Sequence, residues 1–456
     1  MPTNDRDADS QRAPGGGLLR VLGMAFALAV GIGNTIGGGI LRTPGEIAAL
    51  LPSVTLFMTV WVFGGFNALL GATVYSELGA MIPRAGGMYV FAHRALGGYA
   101  GFFVGYTQWI QYCSAAAALA VLIGEYTYVL VPAATGHAVA IAFAILGILG
   151  VLQLAGVRWG AGMQIVTTLA KTLALGGLVV AAFVMPHALV ETHSAAAAMG
   201  AAPHGAALLV ALVLAMQGVI FTYNGYFAVI AFGEELRDPG RDIPRSMFRG
   251  LFLIIAVYLL LNAAFLWVLP ITKMAHMPFV GGAVAQALFG SRGDLIIRSI
   301  VMVSVLGTIN SILLSQPRSL LAMARDRLFL RQALIVNAGG TPVVGLLLSA
   351  VIAGLFLLSG TFHALLAITA TLMVVNYLLM YVSLIVLRRR EPDALRPYRA
   401  WGYPWTTLIG LLITVAFLLG VARSDPSHTL IALLVLLASY PVYRGVRMFG
   451  RHETLE

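Results

Sequence analysis

Two interrupted apolar runs and one lysine are the residues of this 456-residue chain whose types and spacing bear on chemistry. The first interruption is Gly31-Ile32-Gly33-Asn34-Thr35-Ile36-Gly37-Gly38-Gly39, and the second is Phe221-Thr222-Tyr223-Asn224-Gly225-Tyr226. Three consecutive glycines disfavour a helix interior by up to about 1 kcal/mol each against alanine. The helix is therefore expected to open there, and again at the second, polar interruption. An opened helix frees backbone groups. The half beginning at Ile40 directs a positive dipole end at an anion, and the half ending before Gly37 offers carbonyls to a cation. A zwitterion satisfies both. In a membrane interior such groups are costly without a ligand or water, so the break is expected to line a cavity.

Lys171 is the third candidate, one of two lysines against 26 arginines. It lies 11 residues from Gly160 and 14 from Met185, roughly 16 Å and 21 Å from the ends of its apolar run at about 1.5 Å per residue. Its stem cannot snorkel that far. A buried lysine can exist neutral where an arginine stays charged, which suits a coupling group. A lysine held permanently by carbonyls as a strut is the alternative.

The elements that hold these residues must be membrane helices. Apolar residues make up 59% of the chain and charged residues 10%, against about 25% charged in a soluble domain, and the mean hydropathy is +0.90. That excludes a soluble globular protein. Twelve runs are long enough to span: 18–51, 55–81, 100–131, 138–154, 160–185, 206–234, 247–269, 295–324, 343–358, 364–387, 406–421 and 429–448. An even number puts both termini on one side. With that side cytoplasmic, it carries 22 of the 28 basic residues and the other side five. The net charge of +10 thus reads as membrane orientation; the basic residues lie between apolar runs, and no nucleic-acid partner is expected. The broken runs are the first and the sixth. Breaks at equivalent places in two halves of five helices are the mark of an inverted-repeat transporter with its site at the bilayer midplane. Close helix packing is the other use of such glycines, but it does not account for the matching positions.

Cys113 is the single cysteine and rules out an intrachain disulfide or a cysteine metal cluster. The nine histidines are scattered, among them His187, His193, His204 and His276 in outer segments. His-Glu pairs at metal spacing, a G-x-S-x-G elbow and a P-loop are absent, so no enzyme, metal site or cofactor is expected.

Several stretches in order resemble the amino acid-polyamine-organocation (APC) superfamily of transporters, particularly its L-amino-acid-transporter-like branch. Gly33-Asn34-Thr35-Ile36-Gly37-Gly38-Gly39-Ile40 is similar to its G-x-x-x-G-[SG]-G-I signature, with Pro44 following. The run from Tyr75-Ser76-Glu77-Leu78-Gly79 to Arg84-Ala85-Gly86-Gly87-Met88-Tyr89 resembles its second helix and first inner loop. Glu234-Glu235-Leu236-Arg237-Asp238-Pro239, Pro317-Arg318 with Ala322 to Asp326, and Arg396-Pro397-Tyr398-Arg399 complete the pattern.

The resemblance implies an all-α polytopic membrane protein of 12 transmembrane helices: a 5+5 inverted repeat (the LeuT-type or APC fold) plus helices eleven and twelve. The expected layout is a disordered cytoplasmic tail at 1–17, five-helix repeats at 18–186 and 204–387, and the last two helices at 405–449. It implies that the amides of Gly37, Gly38 and Gly39 hold a substrate carboxylate. Carbonyls near Thr35 and Ile36, and from Phe221 through Thr222 to Tyr223, would hold its ammonium, with Asn224, Gly225 and Tyr226 completing the helix-six side. Lys171, in a T-x-x-K-x-L-A-L setting, would occupy the place of the sodium ion of related transporters, touching carbonyls near Gly31 to Gly33 and hydroxyls such as Ser304 or Thr308. Two departures bear on substrate range. Tyr226 stands where many members carry a Trp or Phe gate, and Gly38 replaces the common serine.

Other polar residues have open readings. Gln108, Gln111, Tyr112, Cys113 and Ser114 suit either a pocket or interhelical hydrogen bonds. Glu77 is expected to pair with Arg84. Glu234 and Glu235, beside Arg237 and Arg241, suit a salt-bridge gate or plain solvated charge. Glu125 and Arg42 read as interfacial, Arg42 alternatively as repelling cationic substrates.

The expected function is alternating-access transport of an amino acid, one of neutral type, across the plasma (inner) membrane. It would be sodium-independent, as a proton symporter or an exchanger, with the amino acid, protons and lipid as partners and the oligomeric state left open. A cationic amino acid or polyamine substrate would call for a carboxylate near the broken helices, and a non-transporting receptor on the same fold would bind without uptake.

Overall fold

The computed structural model describes residues 17–131, 133, 136–185, 203–275, 277–359, 362–424 and 426–452. The tail up to residue 16 and His187, His193 and His276 lie outside the described residues.

Helices dominate, and strand pairing is limited to isolated bridges among the described residues. The first apolar run divides into α1 (Met24–Thr35) and α2 (Gly39–Leu50), followed by α3 (Val54–Met81) and a short α4 (Met88–Leu96). Then come α5 (Gly98–Leu130), α6 (Ala138–Leu154), α7 (Val157–Val184) and α8 (Ala206–Thr222). A 3-10 segment (Tyr226–Ala231) precedes α9 (Pro239–Val268), the single turn α10 (Ile271–Met274) and the short α11 (Val280–Phe289). The chain ends with α12 (Gly293–Arg325), α13 (Val343–Ser359), α14 (Phe362–Arg390), α15 (Trp405–Ser424) and α16 (Pro426–His452). Among the described residues, eight helical stretches are apolar and long enough to cross a membrane, and α6, α8 and α13 are shorter apolar helices. Large apolar side chains such as Leu173, Val184 and Leu358 are exposed on the outside of the bundle, the arrangement lipid requires.

Three boundaries differ from the apolar runs. Residues 18–23 are not helical, because Leu22 pairs in parallel with Leu236: its amide donates to Glu235 (2.9 Å) and its carbonyl accepts from Arg237 (3.0 Å). The sixth run stops being α-helical at Thr222 and resumes only as the 3-10 segment. The seventh begins at Pro239, eight residues before the apolar stretch, since proline at the first helical position loses no hydrogen bond. The short helices α4 and α11 were not expected. Each follows the second long helix of its half of the chain.

The two broken runs pack antiparallel. α1 lies against the 3-10 segment and α2 against α8, so the two breaks face one another.

One end of the bundle is closed by ion pairs, and their partners correct the sequence reading. Glu77 pairs with Arg388 (2.6 Å) and Arg396 (3.0 Å) and accepts from the Ala400 amide (2.7 Å), whereas Arg84 pairs with Asp326 (3.2 Å). Glu234 is held by Arg325 (2.7 Å), and fully buried Glu235 by Arg318, rather than by Arg237 or Arg241. Adjacent charges in sequence lost to charges brought over by α12, by the end of α14 and by the segment after it, which meet Glu77 and Glu235 where water is excluded. Removing one member leaves an uncompensated buried charge. Glu77→Ala is therefore expected to destabilise the protein by roughly 3 kcal/mol or more, read as a lowered thermal midpoint in detergent.

Candidate functional site

The α1 helix closes with the Ile36 amide on the Ile32 carbonyl at 2.8 Å, and α2 starts from Gly38. Between them Gly37, Gly38 and Gly39 are half-buried, while Ile36 and Ile40 on either side are fully buried. The amides of these three glycines donate to no protein acceptor among the described residues. They are thus available to an anion at the start of α2, where the helix dipole reinforces it.

The steric demand for glycine falls outside the triplet. None of Gly37, Gly38 and Gly39 has a positive φ, and a Cβ at Gly38 would meet Val301 at an ordinary 3.5 Å. Gly225, by contrast, has φ +119°, and a Cβ there would lie 2.7 Å from the Asn34 carbonyl. A Cβ on Gly31 would lie 2.9 Å from the Tyr226 carbonyl, and one on Gly33 would strike Thr168 and Gln164. The glycines that let the two breaks approach are therefore Gly31 and Gly225, while Gly37 to Gly39 leave space.

The freed carbonyls have partners from three other helices. Lys171 on α7 donates to the carbonyls of Gly33 and Ile36, the latter at 2.6 Å, with the Ser304 carbonyl at 3.4 Å. The Ser304 and Thr308 hydroxyls donate to these same helix-one carbonyls, Ser304 to Ile36 (2.9 Å) and Thr308 to Gly33 (3.3 Å). Lys171 is 1% exposed and makes no ion pair among the described residues. Its charge is met by neutral dipoles alone. The neighbours Leu169 and Leu173 point outward and are exposed, so α7 presents the lysine inward and an apolar flank outward.

Thr35 and Thr222 are linked by a residue the sequence reading missed. The Tyr258 hydroxyl on α9 lies 2.9 Å from the Thr35 carbonyl and 3.1 Å from the Thr222 carbonyl. The Phe221 carbonyl accepts from the Asn224 amide (3.2 Å), and the Thr222 hydroxyl lies 3.1 Å from that of Thr43 on α2. The Tyr223 ring packs against Trp61 and Tyr258, and its amide caps α8 through the Val219 carbonyl. Asn224 meets Met373 and accepts from the Tyr377 hydroxyl. Tyr226 packs edge-on against Tyr75 and Phe227. A cavity of about 30 Å³ lies among Tyr75, Asn224, Tyr226, Tyr377 and Tyr381.

A chain of amides also escaped notice. Gln153 donates to Asn310 (2.6 Å) and Asn310 to Gln164 (2.9 Å), while the Thr168 hydroxyl donates to the Ala29 carbonyl (2.9 Å). The only signal in the sequence is polar residues inside apolar helices. Within the Gln108 to Ser114 cluster, Gln111 meets Asn376 (3.5 Å) and Cys113 meets Gln316 and Ser349 on other helices, while Gln108 meets Tyr112 on its own helix (3.4 Å). At the opposite end from the ion pairs, the Arg298 guanidinium lies 5.1 Å over the Tyr126 ring, with Arg42 and Glu125 within electrostatic reach.

The profile of the Amino acid permease family matches residues 17–440. The chain belongs to that family. It is accordingly an integral membrane transporter of amino acids rather than an enzyme. The chain is 27% identical to the serine/threonine exchanger SteT of Bacillus subtilis over 94% of its own length and 98% of the exchanger's. It is 28% identical to the human large neutral amino acids transporter small subunit 2, covering 96% of this chain and 83% of that one. The mouse Asc-type amino acid transporter 1 is 27% identical over 93% of this chain and 81% of its own.

The permease's glycines separate experimentally. Gly225→Ala combines a disfavoured φ with a backbone collision, so it is expected to lower the yield of monodisperse protein severalfold in size-exclusion chromatography. Gly38→Ala should elute like the parent.

Proposed function

We propose that this permease exchanges neutral L-amino acids across the plasma membrane by alternating access, without sodium. Twelve spans, two inverted five-helix repeats and cytoplasmic termini are part of this reading, supported by the matched breaks and by the bias of basic residues. The substrate carboxylate sits on the amides of Gly37, Gly38 and Gly39. Its ammonium lies toward the carbonyls at the ends of α1 and α8, from Thr35 and Ile36 to Phe221, Thr222 and Tyr223. Neutral substrates are favoured because the relatives named above carry neutral substrates in their names, serine and threonine for one and large neutral amino acids for another. Exchange is favoured over proton symport because SteT, matched over nearly its whole length, is named an exchanger.

The observation that carries the mechanism is the Lys171 ammonium on the Gly33 and Ile36 carbonyls. A fixed cation there balances the negative end of α1 without a mobile ion. Because α7 supplies the lysine, α1 supplies the acceptors and α12 supplies Ser304 and Thr308, any movement of α1 must break or remake these bonds. Lys171 thereby couples the state of the break to the state of the bundle.

Radiolabelled uptake and counterflow in proteoliposomes test both parts. Replacing sodium by choline should leave the parent's transport unchanged. Lys171→Ala should lose transport while weak substrate binding survives in a thermal-shift screen of the twenty amino acids. Sodium-driven accumulation by the parent, or full activity in Lys171→Ala, would overturn the reading. At the carboxylate side, Gly38→Val places two methyl groups where the anion sits and should abolish binding and transport together. Parent-like transport by Gly38→Val would move the site elsewhere.

A further inference from the structure

The amides that link α6, α12 and α7 have a direction. Asn310 on α12 is fully buried, and its Nδ2 donates to the Gly160 carbonyl (3.0 Å) and to Gln164 Oε1 (2.9 Å), so both of its hydrogens are used. Its Oδ1 accepts from Gln153 on α6 (2.6 Å). Gln164, also fully buried, turns its own Nε2 toward the Ala29 carbonyl of α1 (3.4 Å) and the Thr168 hydroxyl (3.5 Å), and that hydroxyl donates to the same carbonyl (2.9 Å). Backbone carbonyls thus stand at two places along the chain, Gly160 and Ala29. A carbonyl only accepts, so neither amide can be turned over without setting oxygen against oxygen. Asn310 fixes the orientation of Gln164 from behind.

Gln164, Thr168 and Lys171 lie four and three residues apart on one face of α7, and all three are buried. They grip α1 at two levels that start about one turn apart, roughly 6 Å at 1.5 Å per residue. At the first, Gln164 and Thr168 reach Ala29; at the second, Lys171, Ser304 and Thr308 reach Gly33 and Ile36. α12 serves the levels differently. Ser304 and Thr308 touch α1 themselves, whereas Asn310 reaches it through Gln164. Gly33 lets the helices close on this spot, since a Cβ there would strike Thr168 and Gln164.

The two levels also differ in strength. A buried ammonium stripped of its carbonyls is a bare charge, while a neutral amide that loses a partner costs far less. The Ala29 level is the one that releases first.

We propose that Asn310 is a positioning residue for transport: by fixing the Gln164 amide on the Ala29 carbonyl, it latches the first half of the broken helix to α7. This role rests on the alternating-access reading above, because a latch acts only on a helix that moves.

Hydrogen exchange of the full chain in detergent, read by mass spectrometry on peptides covering α1, tests the latch. Asn310→Leu and Gln164→Leu should each speed exchange there roughly fivefold, the equivalent of one neutral hydrogen bond. The double variant should be no faster than either single one, because Asn310 acts through Gln164. Asn376→Leu removes a buried amide of the same kind from α14 and should leave α1 at the parent's rate. Thr168→Val deletes the 2.9 Å bond to Ala29 with little change of shape and should also speed α1 exchange, which carries the test if Asn310→Leu does not fold. In proteoliposomes Asn310→Leu should raise KM by up to about fivefold with the maximal rate near the parent's, because the binding-competent population falls while the site itself is unchanged. Parent-like α1 exchange in Asn310→Leu, single effects that multiply in the double variant, or an equal rise in Asn376→Leu overturns the latch, as does a lost maximal rate at unchanged KM. A parent without counterflow would instead overturn alternating access, whereas the exchange rates report the Ala29 contact whether or not the parent transports.

Discussion

A helix cannot be broken inside a membrane unless every backbone group it releases finds a partner, and much of this fold answers that constraint. The carbonyls at the end of α1 receive a lysine from α7, two hydroxyls from α12 and a tyrosine from α9. Among the described residues, the amides of Gly37, Gly38 and Gly39 meet no protein acceptor. The asymmetry is chemical. Donors for the carbonyl side are built in, while acceptors for the amide side must come from outside. On the proposed placement of the substrate, the open positive end favours a carboxylate before any side chain has been considered.

The same constraint explains why the partners come from distant parts of the chain. Lys171, Tyr258, Ser304 and Thr308 belong to three helices separated by loops and shorter elements, yet they converge on residues 33 to 36. Burial raises the strength of each bond, because water cannot compete. It also ties the geometry of the break to the relative positions of α7, α9 and α12. A transporter needs such a tie if occupancy at the break is to be felt at both ends of the bundle.

Much of this was legible in the sequence, where polarity interrupts hydrophobicity. The glycine run, the polar patch at 221–226 and the lone mid-span lysine stand out because lipid tolerates so few such residues. Pairings were not legible. Glu77 and Arg84 are close in sequence, but Arg388 arrives at the end of α14 and Arg396 on the segment that follows it, some three hundred residues away. Tyr258 was invisible because a tyrosine in an apolar helix carries no signal of what its hydroxyl meets. The glycine triplet marks where the helix opens, whereas the steric demand for glycine between the breaks falls on Gly31 and on Gly225, whose positive φ only the three-dimensional course of the chain dictates.

Tyr258 has a further consequence. One phenolic hydrogen faces two carbonyls, those of Thr35 and Thr222, at 2.9 and 3.1 Å. It cannot serve both at full strength, so the two breaks together stand one hydrogen short. An arriving ammonium brings three. On the proposed placement of the substrate, this count acts in stoichiometry rather than shape: a donor entering there completes it, and a ligand without one leaves it short.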